Sequence, residues 1–144
     1  MTFIVIAIIG FLLLESTNVA ALYFFPDSKF ANSVGVFKAW EKSKDDPDVH
    51  DFVKYLVSWI AGTKLIFILL LIVILLTADE QTLLLTVIAL VMSIAVFFWR
   101  LYPLVRKMDR DGNLDPRNYS SVLGWMILGM IIVFSAAVVN LILR

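Results

Sequence analysis

The sequence predicts an all-α integral membrane protein, with four transmembrane helices in one antiparallel bundle and a short amphipathic interfacial helix in the first loop. Three observations lead there. The 144 residues are 61% hydrophobic, with a mean hydropathy of +0.93. The apolar residues collect into four runs, at about residues 3–25, 52–77, 82–102 and 119–143. Each is close to the ~20 residues a helix needs to cross a hydrocarbon core about 30 Å thick. A membrane barrel would alternate polar and apolar side chains in segments of about 10 residues, whereas Leu65–Leu76 is unbroken apolar sequence. Residues 1–144 therefore read as one membrane domain.

The first run contains Glu15 and Asn18 and lacks the basic flank and small-residue cleavage site of a signal peptide, so it reads as a mature helix. In the loop that follows, Phe30, Val34, Phe37 and Trp40 recur at steps of three or four, with Lys38 and Lys42 elsewhere on the wheel. That spacing predicts an interfacial helix over about 29–44, covering the inner end of the bundle or offering a face to lipid or to a partner. Asp45–Asp46–Pro47–Asp48 then ends the segment and supplies a cap for the second span. Ala78–Gln81 is a tight acidic turn between the second and third runs. The third loop, Pro103–Asn118, is again polar.

Basic residues are divided unevenly between these connections. Lys29, Lys38, Lys42, Lys44 and Lys54 lie in or beside the first loop, and Arg100, Arg106, Lys107, Arg110 and Arg117 in or beside the third. The turn at 78–81 has none. By the positive-inside rule, loops 26–51 and 103–118 are expected in the cytoplasm and both termini outside, in the cell membrane. Trp59, Trp99, Tyr102 and Trp125 fall near the inner ends of their runs, as an aromatic belt does.

Formal net charge is zero, which points to no nucleic-acid partner, and no cysteine is present for thiolate chemistry or thiolate metal sites. One histidine cannot form a bis-histidine haem site within one chain. No catalytic constellation and no cofactor are read from the sequence. The expected partners are the lipid bilayer and either further copies of the chain or another membrane protein.

Two charges inside apolar runs carry the chemistry. A charge at bilayer depth costs roughly 2.5–3.5 kcal/mol on insertion scales unless paired or hydrated. Counting 1.5 Å per residue, Glu15 lies about 12 Å and Lys64 about 13 Å above the inner boundary. Sequential helices joined by a loop are usually neighbours. Glu15 and Lys64 are therefore expected to face each other, with Asn18 one turn further on the same face and Ser58, Thr63 and Ser93 as further polar contacts. The pair by itself reads as an internal ion pair that fixes helix register. Three functions are then open. One is an oligomeric transporter or channel in which Glu15 is protonatable and Lys64 its counter-charge. Another is a non-catalytic scaffold or regulatory subunit that binds a partner or anionic lipid at the inner face. The third is a membrane enzyme acting on lipid headgroups through Asp109, Asp111, Asp115 and His50 with a divalent ion.

The acidic loops offer weaker candidates for a divalent ion. Asp109, Asp111, Asn113 and Asp115 place oxygen side chains at alternate positions, as in the first half of a calcium loop. Leu114 stands where that loop needs glycine, and Ser120 where it needs glutamate. His50 lies among Asp46, Asp48 and Asp51. No family is assigned. The Asp-Gly core of loop three is similar to that of CDP-alcohol phosphotransferases but lacks their downstream Ala-Arg and second aspartate pair. The small multidrug-resistance transporters share only Leu14–Glu15 and the number of helices.

Overall fold

In the computed structural model, which describes residues 3–143, the apolar runs form helices whose ends follow capping chemistry rather than hydropathy. The helices are α1 (Phe3–Phe24), α2 (Lys38–Ser43), α3 (Pro47–Thr77), α4 (Glu80–Ala95), α5 (Phe97–Arg110) and α6 (Tyr119–Ile142). The described residues contain no strand. Four segments are long and apolar enough to cross a membrane: α1, α3, α4 together with α5, and α6.

Two boundaries differ from the hydropathy reading. α3 begins at Pro47, ahead of the apolar run at 52, because Asp46 Oδ1 accepts from the backbone N–H of Asp48 (3.1 Å) and Val49 (3.3 Å). Proline in the first turn costs nothing there, since its missing N–H would be unpaired anyway. The third run is two helices rather than one. Asp79 caps α4 through the Thr82 N–H (2.8 Å), the chain breaks at Val96, and α5 continues through Pro103 to Arg110. Pro103 has no N–H for the Trp99 carbonyl, but its fixed φ suits a helix and the helix runs on.

α1 packs on α3 and α6, and α4 and α5 pack on α6. Ile4, Ile8 and Phe11 of α1 meet Ile68 and Leu71 of α3, Val87 of α4 and Phe134 of α6 in one apolar core. Phe11 sits edge-on to Phe67 and Phe134, with ring centroids 6.0 and 5.4 Å apart. The outward faces are apolar too: Leu14, Ile66, Leu70, Leu85, Val122 and Ile132 are exposed. Helices that are hydrophobic all round are those of a large core or a membrane span.

The first loop is not the expected interfacial helix. Only a 3-10 turn, Val34–Val36, and the six residues of α2 are helical between α1 and α3. Ala31 and Asn32 adopt left-handed backbone (φ 54° and 55°), which ends any helix from residue 29. Gly35 then brings the chain back on itself. Its N–H donates to the Pro26 carbonyl (2.8 Å), and a Cβ at this position would lie 2.3 Å from the Asp27 carbonyl oxygen. The apolar face is therefore split. Phe30 is 84% exposed and Val34 and Phe37 are half-buried, while Trp40 is 3% exposed and the buried anchor is Val36.

Loop one docks on loop three. The Lys38 N–H donates to the Asn113 carbonyl (3.0 Å) and the Asp115 N–H to the Val36 carbonyl (2.9 Å), with Phe37 and Leu114 bridged antiparallel. Beneath that bridge Val36 and Leu114 join Val105 of α5 and Leu123 of α6 in a second core. Lys29 and Asp115 form an ion pair across the same junction. The two connections and the adjoining ends of α5 and α6 thus make one cap.

Candidate functional site

The two charged residues sit on the stripes that pack the helices. On α1 the inward positions run Ile4, Ile8, Phe11, Glu15, Asn18; on α3 they run Val57, Ala61, Lys64, Ile68, Leu71. Steps of three and four keep each series on one face. Where α1 meets α3, the polar members fall opposite each other.

Lys64 Nζ donates to Glu15 Oε2 at 2.8 Å and to Asn18 Oδ1 at 2.6 Å. The Asn18 amide nitrogen turns the other way and donates to the carbonyls of Ala31 (2.6 Å) and Asn32 (3.0 Å). Those carbonyls belong to the two left-handed residues, so Asn18 fastens the turn whose backbone is least favourable. The Asn32 side-chain oxygen in turn accepts from the Tyr119 hydroxyl at the start of α6. One connected set of polar groups thus joins α1, α3, loop one and α6. Glu15 and Lys64 keep 19% and 30% of their side-chain surface exposed, and no buried side-chain polar atom among the described residues lacks a partner.

The structure brings Glu15, Asn18 and Lys64 together and leaves the hydroxyls out. Thr63 donates to the Trp59 carbonyl of its own helix (2.9 Å), and Ser58 and Ser93 are exposed. Asn32 and Tyr119 complete the cluster and were not expected from the sequence. Asparagine tolerates left-handed backbone, but alanine does not signal it, and nothing local points from Asn32 to Tyr119. A groove of about 520 Å³ runs beside the cluster between α1 and α3, lined by Ser16, Val19, Ala20, Tyr23, Leu65 and Ile68 among others. Neither Glu15 nor Lys64 lines it.

The divalent-ion candidates are directed to different partners. Asp109 caps α6: its Oδ1 accepts from the Asn118 N–H (3.0 Å), and its Oδ2 from the Ser120 N–H (2.8 Å) and hydroxyl (2.6 Å). Asp115 holds Lys29, Asn113 offers its backbone carbonyl to Lys38, and Asp111 is exposed at the end of α5. His50 Nδ1 bonds the Ser43 hydroxyl (2.8 Å) while its ring lies 4.8 Å from that of Trp40. Among the described residues, no three histidine or carboxylate side chains converge to hold a metal ion.

Of the proposed lipid or partner face, Lys38 and Lys42 are exposed, but Trp40 is committed to the cap. Its indole N–H donates to Asp27 Oδ1 (2.6 Å), which also accepts from Lys44 Nζ (2.8 Å). Hydrogen bonds from Lys44 and Trp40 hold the Asp27 carboxyl below its ordinary value, and the hydrogen bond and charge of Lys29 do the same for Asp115. Bonding to Asp27 and Glu41 raises Lys44.

The sign of the resulting pH dependence follows. A carboxyl whose folded value is depressed contributes stability that is full above its unfolded value, about 3.9, and lost as pH falls through the lower folded one. Raised Lys44 contributes below its unfolded value, about 10.4, and loses that contribution only as pH climbs through its folded one. In His50→Gln, which removes the imidazole packed on Trp40, the Trp40 indole N–H resonance, followed by NMR in micelles, should stay fixed from pH 7 to about 5 and move only below about 4. A midpoint at or above the ordinary aspartate value would exclude these pairs as the cap's fastening.

No protein-family model matches this chain. Neither a curated protein nor a solved structure matches it, so function rests on the chemistry above.

Proposed function

We propose that this chain is a small integral membrane protein with a non-catalytic role, a scaffold or regulatory subunit that receives a membrane partner or anionic lipid at its inner face. Its four spans run antiparallel in the cell membrane, with both termini outside and loops 26–51 and 103–118 in the cytoplasm. The docking of loop one on loop three supports this, because it puts the two most basic connections at one end of the bundle.

The observation that carries the non-catalytic reading is the hydrogen bonding of Lys64 to partners within the chain. Its ammonium is taken up by Glu15 and Asn18, and the remaining Asn18 donors by loop backbone. Charges satisfied this way need no substrate to account for them. They fix which face of α1 meets α3 and where loop one sits.

Transport is the second reading, and one feature favours it. Glu15 and Lys64 are not sealed, and a second copy of the chain packed over their exposed edges would enclose a polar path. Flux in reconstituted vesicles separates the two. The scaffold reading expects proton and cation leak equal to that of protein-free vesicles. Flux that Glu15→Gln abolishes would establish transport instead.

A further inference from the structure

The amphipathic face expected of loop one is found instead on α5, which continues the third apolar segment. Placing successive residues at 100° around the axis divides Phe97–Arg110 into three faces. Phe98, Tyr102, Val105 and Asp109 point into the fold, where Val105 is buried and Asp109 caps α6. Leu101, Leu104 and Met108 form a second, apolar face, with both leucines exposed. Arg100, Arg106, Lys107 and Arg110 fall within an arc of about 120° on the third, together with Trp99.

All four cations are exposed, and none forms an ion pair with a carboxylate among the described residues. The one carboxylate on α5, Asp109, is on the opposite side with both oxygens occupied. Exposed Asp111, the cap just past Arg110, forms no ion pair with the four cations. The Arg100 guanidinium lies over the Trp99 ring, 5.2 Å from its centroid.

Depth places this arc. Counting ~20 residues from Glu80 at the outer end brings the chain to the inner hydrocarbon boundary near Arg100. Arg106, Lys107 and Arg110 then stand about 9–15 Å beyond it, in and past the headgroup layer. A basic cluster directly cytoplasmic of a span, with an indole at the boundary, has the chemistry that holds anionic headgroups.

We propose that the Arg100/Arg106/Lys107/Arg110 face of α5 binds the phosphate headgroup of an anionic membrane lipid, with Trp99 at the edge of its acyl region. This rests on the membrane reading above and names the lipid-binding residues that reading left open. A phosphate bridges Arg106 and Arg110, one turn apart, and Lys107 adds a third donor beside them. The lysines of loop one are not needed.

The test is native mass spectrometry of the full chain in detergent, titrated with phosphatidylglycerol, phosphatidylcholine or inorganic phosphate. Phosphatidylglycerol should be retained in preference to phosphatidylcholine. Each removed charge should lower its affinity about fivefold, and Arg106→Gln/Lys107→Gln/Arg110→Gln on the order of 100-fold. Lys38→Gln/Lys42→Gln should keep the wild-type preference. If the triple variant does not fold, Arg110→Gln alone reads the fivefold loss. Equal retention of the two lipids, an unaffected triple variant, or displacement of lipid by millimolar inorganic phosphate would each overturn the proposal. A chain recovered without detergent in the soluble fraction would instead overturn the membrane reading beneath it.

Discussion

Glu15→Leu should destabilise the protein by about 2.5–3.5 kcal/mol, the insertion-scale cost of a charge left without its partner at bilayer depth. The loss is not the strength of one hydrogen bond. It comes from leaving the Lys64 ammonium among apolar helices with only Asn18 Oδ1 to receive it. Asn18 then carries a heavier load while also holding the carbonyls of Ala31 and Asn32, so the disturbance reaches loop one. Glu15→Gln should be milder, since an amide oxygen still accepts from Lys64. Unfolding by graded denaturant in mixed micelles measures both. The milder variant should retain the Asn18–loop contacts, visible as slow exchange of the Asn18 side-chain amide protons. If both variants unfold like wild type, the charges face lipid or water and the helix pairing derived from them is wrong.

The second large effect belongs to the cap. Leu114 is 1% exposed and packs with Val36, Val105 and Leu123, so Leu114→Ala should cost about 2–5 kcal/mol in lost burial and residual cavity. Because Leu114 lies between the two backbone bonds that join the loops, the Lys38 and Asp115 amides should exchange faster while those of the upper core do not. That split distinguishes a cap that opens locally from a bundle that unfolds as one unit. Uniform acceleration across α1 and α3 would show that the two cores are not separable.

Much of this molecule can be read from local pattern, and the limits have physical causes. The four long apolar segments follow from run length. The meeting of Glu15 with Lys64 follows from helical rise together with the adjacency of sequential helices, because a straight helix turns sequence position into height along its axis. Loop one resisted the same treatment. The spacing of Phe30, Val34, Phe37 and Trp40 fits a helix, yet Ala31 and Asn32 turn left-handed and Gly35 closes on Asp27. What selects that shape is remote: the Asn18 amide from one side and Leu114 with Asn113 from the other. Periodicity within a loop cannot register partners about 80 residues away.

α5 went unread for the opposite reason. Hydropathy ends at Tyr102, and Pro103 suggests a stop, but the helix persists because Val105 is buried and Asp109 fastens its end to α6. The alternating acidic residues of loop three are weak candidates for cation ligands by spacing, and their partners lie within the fold. Asp109 and Asp115 serve a helix N-terminus and a lysine. Carboxylates in a loop more often satisfy backbone and neighbouring charge than bind metal, and spacing alone does not distinguish the two.

Glu15 and Lys64 act as one structural unit. A double-mutant cycle tests it most directly, using Glu15→Leu, Lys64→Met and both together, with unfolding free energy as the readout. The pair should be strongly coupled: each single variant loses stability, and the double variant loses less than either, since apolar replacement of both charges leaves nothing unpaired. Losses that simply add would contradict the claim and return Glu15 and Lys64 to separate roles.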